Sequence, residues 1–598
     1  MTMSPIEQFE LKRSQSAAKA ERLSTQYNII SAVRISIFVL VLILIVYLAN
    51  LGEGSLLTLI SIGSLIIFVV LIIWHNKVKY VRNQSRFLVQ INEEEILKLD
   101  NRLSSFPGGE QYQSKNHAYS SDLDIFGRNS LYQLLNRCTT PPGRDTLAKW
   151  LQETPTTEDI GKRQQAIEEL NTQLEWRQDW QASGMHYDEE RKHIDELIEW
   201  LNNAENIVPK WVSFVRYILP AITIPVMIGA IFFSIQIGWL FILLIINSLV
   251  LAQVFKKAFE VNSQTSHGIT TLKAFEVLIT KVEKSEFKSP LLLELQKSFV
   301  EEDMASLKIK RLKKILHLLN SRNNLFYVIV NFVLLLDVHT LVRASNWKSG
   351  HAHDVESWFK SMGQLEAINS IAGYAFANPS FVMPKLNDEY FGLSTKCMGH
   401  PLIHSSERVC NDFSIENKGA ITVITGSNMS GKSTFLRTLG VNVVLAMAGA
   451  PVCADELKLS RLQVFTGMRT QDNLEEHVSS FYAELKRIKQ LLDLITSNEI
   501  PILFMLDEIL KGTNSVDRHT GAVALIHQLH KYNGLGLIST HDLELGKIAE
   551  DLEFTDNYSF NSSIQNDEIL FDYKLNNGVC SSFNASKLMK KMGIEIGN

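Results

Sequence analysis

Hydrophobic residues are concentrated in four long runs, arranged as two closely spaced pairs, and only a short turn separates the members of each pair. Each run has roughly the 20 residues that a helix needs to cross the ~30 Å hydrocarbon layer of a bilayer. A pair of buried core helices is the alternative, but two such runs in succession favour transmembrane hairpins. The runs cover residues 35–51 and 56–74, then 214–235 and 239–254.

Basic residues lie at the ends of these hairpins and are absent from the connecting turns. Because positively charged residues are retained on the cytoplasmic side, both ends of each hairpin are predicted to face the cytoplasm. The pattern therefore predicts an integral cytoplasmic (inner) membrane protein with its remaining domains in the cytoplasm. The flanking residues are Arg22, Arg34, Lys77, Lys79, Arg82 and Arg86 for the first hairpin, and Lys210, Arg216, Lys256 and Lys257 for the second.

The segments around the hairpins have helical spacing of apolar residues and a charged outer face. A shorter apolar run, residues 325–336, ends at Asp337, so it is predicted as a buried helix rather than a fifth span. A basic cluster could contact DNA phosphates or anionic lipid, although a solvated face is the favoured interpretation. This cluster consists of Lys308, Lys310, Arg311, Lys313 and Lys314.

The last third of the chain has a different pattern, in which short apolar strands alternate with helices. A short apolar strand, residues 421–425, leads directly into G-x-x-x-x-G-K-S, and an apolar, Ala-rich segment follows. This is the strand–loop–helix context of a phosphate-binding loop. In such a loop Lys432 would reach the β- and γ-phosphates of ATP, and the Ser433 hydroxyl would bind Mg²⁺. The candidate ATP-binding residues are Gly426, Ser427, Asn428, Met429, Ser430, Gly431, Lys432, Ser433 and Thr434.

Two further strands end in side chains that suit the same chemistry. Residues 501–506 form a wholly apolar strand that ends at Asp507 and Glu508. Asp507 would hold Mg²⁺, and Glu508 would orient or deprotonate the attacking water. The strand at residues 535–540 is followed by His541, which would sense the γ-phosphate or serve only as a capping residue. We therefore take Glu508 and His541 as candidate catalytic residues.

Composition adds little evidence for a particular partner. The 598-residue chain has a mean hydropathy of +0.01, which is high for a soluble protein. Its net charge of −5 does not indicate a nucleic-acid binder. The five cysteines include no C-x-x-C pair. They are predicted to be free thiols in a reducing compartment, not a disulfide framework or a zinc site.

These motifs together resemble the MutS family. The loop at residues 426–434 is similar to the family's G-P-N-M-x-G-K-S-T, residues 507–517 to D-E-x-x-x-G-T-x-x-x-D, and residues 539–545 to S-T-H-x-x-E-L. Residues 479–485 resemble the S-T-F-x-x-E-M signature, and residues 122–170 resemble the helical core that carries the family's lever helices. The resemblance implies a homodimer that encloses ATP and Mg²⁺, with Ser479 and Ser480 of one subunit approaching the nucleotide of the other.

The predicted fold is an α/β P-loop (ABC-type) ATPase domain at the C-terminus, preceded by an all-α lever and core domain that transmembrane hairpins interrupt. The second hairpin lies about where the family inserts its DNA-clamping domain. The predicted units are a cytoplasmic tail (1–30), hairpin 1 (31–76), the first part of the core (77–210), hairpin 2 (211–256), the second part of the lever (257–395) and the ATPase (396–592).

The resemblance does not extend to mismatch recognition. MutS proteins that recognise mismatches use an N-terminal domain with an F-x-E wedge. The F-x-E of this chain, at Phe299, instead lies in a predicted helix after the second hairpin. The sequence thus favours a membrane-anchored ATPase for which DNA is a candidate partner without specific mismatch reading. The alternatives are an ATP-gated DNA clamp, an ATP-driven membrane protein with a non-DNA partner, and, less favoured, a transporter or an idle scaffold.

Overall fold

The computed structural model describes residues 3–52, 54–114, 116–187, 191–203, 209–301, 303–468, 480–511, 513–565 and 568–580. Up to residue 377 the described chain is helical, and a region of mixed strands and helices follows. The helices of the first part are α1 (Pro5–Leu51), α2 (Gly54–Leu99), α3 (Leu131–Leu135), α4 (Pro141–Trp150), α5 (Thr157–Asn171), α6 (Leu174–Gly184), α7 (Arg191–Asn202), α8 (Lys210–Phe232), α9 (Ile237–Thr265), α10 (Gly268–Glu283), α11 (Pro290–Val300), α12 (Ala305–Asn320), α13 (Leu325–Leu334) and α14 (Leu336–Ala377).

Helices α1 and α2 form a long antiparallel pair that contains the first two apolar runs. Helix α1 begins at Pro5, where the Ser4 hydroxyl accepts from the Glu7 amide and the Glu7 carboxylate accepts from the Ser4 amide. This capping box satisfies two amide groups that a helix start otherwise leaves unpaired. Most of the segment predicted as a tail is therefore helical and continuous with the apolar run, because none of its residues breaks the helix.

Among the described residues, α1, α2, α8 and α9 are the helices that are long and apolar enough to cross a membrane. The bent pair α13 and α14 would raise the number to five if it were counted as one span. This assessment concerns length and composition only. The apolar side chains of the four helices are largely exposed in the isolated chain, for example Leu40, Leu65 and Phe241.

The interpretation of residues 325–336 as a buried helix is wrong. Helix α13 exposes most of its apolar side chains, and Phe326 is 78% exposed. It bends away from α14 by 82° at Leu335, which has a positive φ of 53°. The apolar run is short because the chain turns at Leu335. Its shortness therefore does not indicate burial.

Helix α14 is the central element of the helical part and packs on α4, α5 and α12. Its buried Glu366 accepts hydrogen bonds from the Thr139 and Thr140 amides, which precede α4. Burial raises the pKa of Glu366, although these hydrogen bonds oppose the shift. Two residues before Thr139, Arg137 forms a buried bidentate ion pair with Glu95 of α2, at 2.5 and 2.7 Å.

The C-terminal region contains two sheets. A six-stranded sheet has the order β10-β9-β4-β8-β7-β6, in which only β10 is antiparallel to its neighbour, and a smaller sheet has the order β1-β5-β2-β3. The strands are β1 (Lys385–Leu386), β2 (Gly392–Met398), β3 (Asn411–Glu416), β4 (Ile421–Gly426), β5 (Glu456–Leu459), β6 (Gln463–Gly467), β7 (Ile502–Asp507), β8 (Leu535–Thr540), β9 (Thr555–Gln565) and β10 (Glu568–Asn577), and the helices are α15 (Lys432–Ala448), α16 (Ser480–Ser497), α17 (Ser515–Lys531) and α18 (Leu543–Glu550).

The prediction of five free thiols is wrong for one pair. Cys397 and Cys410 form a disulfide between β2 and the residue before β3. The two positions are far apart for a sequence motif, but the antiparallel pairing of β2 with β3 brings their Cα atoms to 4.6 Å. The other three cysteines are free thiols.

Candidate functional site

The loop between β4 and α15 curls around the first turn of α15. Gly426 and Gly431 have φ values of 158° and 108°, and Met429 has a φ of 70°. At Gly431 this backbone conformation favours glycine, and a Cβ there would also come within 3.1 Å of the Tyr573 ring. The first amide groups of α15 have no carbonyl partner within the helix and are directed towards the loop, an arrangement that can bind an anion.

Lys432, the first residue of α15, lies under this loop. Its ammonium donates to the carbonyl oxygens of Gly426 at 2.8 Å and Ser427 at 3.0 Å. Burial lowers the pKa of Lys432, whereas the nearby carboxylates of Glu508 and Asp507 oppose the shift. The two carbonyl groups thus hold the ammonium at the anion-binding loop without neutralising its positive charge.

Ser433 and Asp507 meet across the adjacent ends of α15 and β7. The Ser433 hydroxyl donates to Asp507 Oδ2 at 2.5 Å, and the Ser539 hydroxyl of β8 donates to Oδ1 of the same carboxylate. A hydroxyl and a carboxylate oxygen at this separation are hard oxygen donors of the kind that Mg²⁺ prefers. The donor set therefore fits a magnesium ion, and Ser539 orients the carboxylate.

Glu508 follows Asp507 in a left-handed conformation, with a φ of 52°. Its carboxylate forms an ion pair with Lys511 at 3.1 Å, and His541 Nδ1 lies 3.8 Å from its Oε1. Burial alone would raise the pKa of Glu508, but the hydrogen bond and charge of Lys511, with the charges of His541 and Lys432, lower it. Glu508 is therefore an ionised acceptor at neutral pH.

A cleft of about 570 Å³ opens beside the loop. One side is formed by residues 428–435 with Thr438 and Glu508, and the other by the segment between β2 and β3. His400 belongs to the latter wall; burial and the charges of Arg437 and Arg408 lower its pKa to about 4, so the ring is neutral. The remaining lining residues are Met398, Ile403, Glu407, Val409, Asn411, Phe560 and Tyr573.

Not every candidate residue reaches this cleft. Gly426 and Ser427 do not line the cleft but hold Lys432 through their carbonyl oxygens. Asp507 does not line it either and contacts Ser433, which does. His541 lies beside a separate small cavity of about 10 Å³ that Glu508 also lines. Ser479 lies outside the described residues. Ser480 is the first residue of α16, and the described part of the chain does not include its side chain.

Two side chains that support the candidate ligands were not predicted from the sequence. Ser539 was seen only as part of a motif, although its hydroxyl holds Asp507. Lys511 was given no role from the sequence, yet it pairs with Glu508. The position of Ser539 at the end of the strand next to β7 was the available signal, because adjacent parallel strands end at the same edge.

The fold and this site define the class of the C-terminal domain. Residues 422–594 match the family MutS domain V. The resemblance to the MutS family that the motifs indicated is confirmed over this region.

Curated relatives agree with this assignment. The chain is 31% identical to the DNA mismatch repair protein MutS of Flavobacterium johnsoniae over 242 residues, 39% of this chain and 27% of the relative. It is 32% identical to the protein of that name from Finegoldia magna over 221 residues, 36% and 25% of the two chains. Endonuclease MutS2 of Fusobacterium nucleatum is 30% identical over 235 residues, 38% and 29%. The chain thus spans about a quarter to a third of the relatives that it matches.

Proposed function

We propose that this protein is a membrane-anchored, MutS-like ATP hydrolase. The observation that carries the proposal is the position of Lys432 and Ser433 in the wall of a 570 Å³ cleft, with Asp507 hydrogen-bonded to Ser433. The loop amides and Lys432 would bind the phosphates, and Ser433 and Asp507 would hold Mg²⁺, which supplies charge neutralisation when bound. Glu508, ionised beside Lys511, would accept a hydrogen bond from the attacking water and remove its proton.

The other wall of the cleft is suited to the nucleoside part of ATP. It combines apolar side chains such as Met398 and Val409 with the neutral ring of His400 and the amide of Asn411. A flat, largely apolar base fits such a wall, because stacking needs apolar surface and a few polar groups set the orientation. Two chains would close over the nucleotides, with Ser479 and Ser480 of one subunit approaching the other.

Four apolar helices support the membrane part of the proposal. The two hairpins would anchor the helical core at the inner membrane, and closure of an ATP-bound dimer would move α14, which leads from the core directly to the sheets. Whether the hairpins are embedded is tested by extraction. The protein should stay with membranes at alkaline pH and be released by detergent, and release at alkaline pH alone would contradict the anchoring.

The ATPase proposal is tested with Lys432→Ala in detergent-solubilised protein. The variant should lose ATP binding and hydrolysis, because the loop would lack the cation that reaches the phosphates. Lys531→Ala is the matched control: it removes an exposed lysine at the end of α17 and should hydrolyse ATP like the wild type. Equal hydrolysis by all three proteins would show that the nucleotide site is wrongly assigned.

DNA is the candidate cargo suggested by the names of the relatives, but the basic cluster at residues 308–314 gives it little support. Lys308 is buried and pairs with Asp354, and Lys313 pairs with Glu276. An ATP-gated DNA clamp predicts that duplex DNA stimulates hydrolysis and that binding weakens linearly in log salt. Hydrolysis that ignores matched and mismatched DNA would instead favour a protein or lipid partner.

A further inference from the structure

Helix α13 is the described apolar element for which the proposed function has no use. Its ten residues lie between α12 and α14, and its side chains at positions 325, 326, 329 and 332 are 40–78% exposed. Residues spaced by three or four positions share one face of a helix. Exposing an apolar face of this size to water would be energetically unfavourable. The contacts of α13 with neighbouring helices indicate what surrounds this face instead.

The C-terminal end of α13 is bound at the middle of the second hairpin. Asn247 of α9 donates from Nδ2 to the carbonyl oxygen of Phe332 at 2.8 Å and to Thr223 Oγ1 of α8 at 3.2 Å. Both polar side chains are fully buried within the apolar stretches of their helices. Asn247 therefore satisfies one of the carbonyl groups that a helix end leaves unpaired, at a depth where water would not be available.

The N-terminal end of α13 lies near the hairpin's cytoplasmic end. The Arg322 guanidinium is 5.1 Å from the centre of the Phe255 ring, eight residues along α9 from Asn247, or about 12 Å at 1.5 Å per residue. After the turn at Leu335, the chain returns to the same level. Arg322 pairs with Asp337 at 3.2 Å, and His339 Nε2 lies 3.0 Å from the carbonyl oxygen of Arg216.

These contacts indicate that the chain approaches the middle of the second hairpin along α13 and returns to the same end of the hairpin after Leu335. Tyr327 donates to Asp337 at 2.8 Å, so the ion pair at the base of the loop is closed by a third side chain. Helix α13 contacts α8 and α9, and these two helices also expose apolar side chains, for example Phe214 and Leu249. If those helices span the membrane, α13 lies among the same acyl chains.

We propose that α13 is a re-entrant helix that inserts into the cytoplasmic leaflet, with acyl chains covering its exposed face. The inference rests on the proposed membrane anchoring. It adds a contact with one leaflet, made by the element that continues directly into α14. Movement of α14 would therefore also displace α13 within the lipid leaflet, in addition to any effect on the two hairpins.

Fluorescence quenching in vesicles tests this insertion. Single variants Leu325→Cys, Ile329→Cys and Phe332→Cys carry an environment-sensitive fluorophore, and the full-length protein is reconstituted with phospholipids spin-labelled either near the headgroup or near the acyl end. Ile245→Cys on α9 is the control for a span, and Leu293→Cys on α11 is the control for water. Unsubstituted protein measures labelling of the native thiols.

Fluorescence at position 329 should be lost to spin-labelled lipid as strongly as at 245, whereas 293 should keep its signal. The acyl-end label should quench position 332 more than 325, because the helix descends towards Asn247. Quenching at 245 but not at 329 would overturn the inference and leave the anchoring intact. Equal depth at 325 and 332 would also overturn it, since the helix would then lie flat at the interface. Absence of quenching at 245 would refute the anchoring itself.

Discussion

At the scale of single residues, the hydroxyl of Ser539 should matter although it touches no phosphate. It donates to Asp507 Oδ1 and thereby turns Oδ2 towards Ser433. Substitutions of groups that orient a metal ligand typically cost about 10-fold or more in metal affinity. Ser539→Ala should therefore need about 10-fold more Mg²⁺ for half-maximal nucleotide binding, measured by titration.

Thr422→Val is the matched control for that variant, because it removes a hydroxyl from the same sheet. The Thr422 hydroxyl is fully buried in β4 and has no hydrogen-bond partner among the described residues. Valine has nearly the same shape, so Mg²⁺ dependence and stability should be unchanged or slightly improved. A similar loss of Mg²⁺ response in both variants would show that the sheet, and not Asp507, is affected.

His400 makes the cleft sensitive to acid. Because its folded pKa of about 4 lies below the ordinary value of 6.5, the unfolded chain takes up the proton first as the pH falls. Stability is therefore complete above pH 6.5 and is lost between about 6.5 and 4, with about 2 kcal/mol lost by pH 5 from this group. The Leu402 amide donates to His400 Nδ1 at 3.2 Å, which requires the unprotonated nitrogen.

The measurement for His400 is a comparison of thermal unfolding at pH 7 and pH 5 with and without His400→Asn, which keeps a side-chain acceptor. The wild type should lose more stability than the variant over this interval. An identical pH response of the two proteins would contradict the assignment of a buried neutral ring. The carboxylates titrate equally in both proteins, so their contribution to the loss of stability cancels in the comparison.

At the scale of elements, the Glu95–Arg137 pair joins α2 to the segment that follows α3. Arg137 is buried, and it also donates to the carbonyl oxygens of Leu134 and Leu135. Removing one partner of a buried pair leaves an uncompensated charge and costs about 3–5 kcal/mol. Arg137→Leu should therefore lower the unfolding temperature strongly in detergent.

The exposed Lys149–Glu153 pair is the control for this element. It joins the last turn of α4 to the segment that follows, at 3.2 Å, and both side chains are substantially exposed. Lys149→Ala should change stability by less than about 0.5 kcal/mol, because solvent screens such pairs. Comparable losses for the two variants would mean that the Glu95 pair does not connect the elements as described.

At the scale of the whole molecule, the proposed dimer should depend on bound nucleotide. Glu508→Gln keeps the loop and Lys432 but removes the carboxylate base, so it should bind ATP without turning it over. It should then accumulate as a dimer in the presence of ATP and Mg²⁺, measured by light scattering of the detergent-solubilised protein. Lys432→Ala should remain in its nucleotide-free state, and an unchanged mass of Glu508→Gln would contradict closure by ATP.

The sequence was most informative where a motif is continuous in the chain. The strand before Gly426, the loop to Lys432 and the apolar strand before Asp507 are local patterns, and the resemblance to the MutS family followed from them and is confirmed over residues 422–594 by the match to MutS domain V. Contacts between distant segments were not visible. The Cys397–Cys410 disulfide depends on the pairing of two strands, and the exposure of α13 depends on a bend at a leucine that no sequence rule marks.

The length of α14 has a geometric consequence. Its 42 residues extend about 63 Å at 1.5 Å per residue, from the apolar turn at Leu335 to the start of the sheets. If the helix stays straight, a tilt of only about 5° at one end sweeps the other through an arc of about 5 Å, close to one helical pitch. A subtle angular change beside the cleft is therefore enough to displace the far end by the width of a side chain.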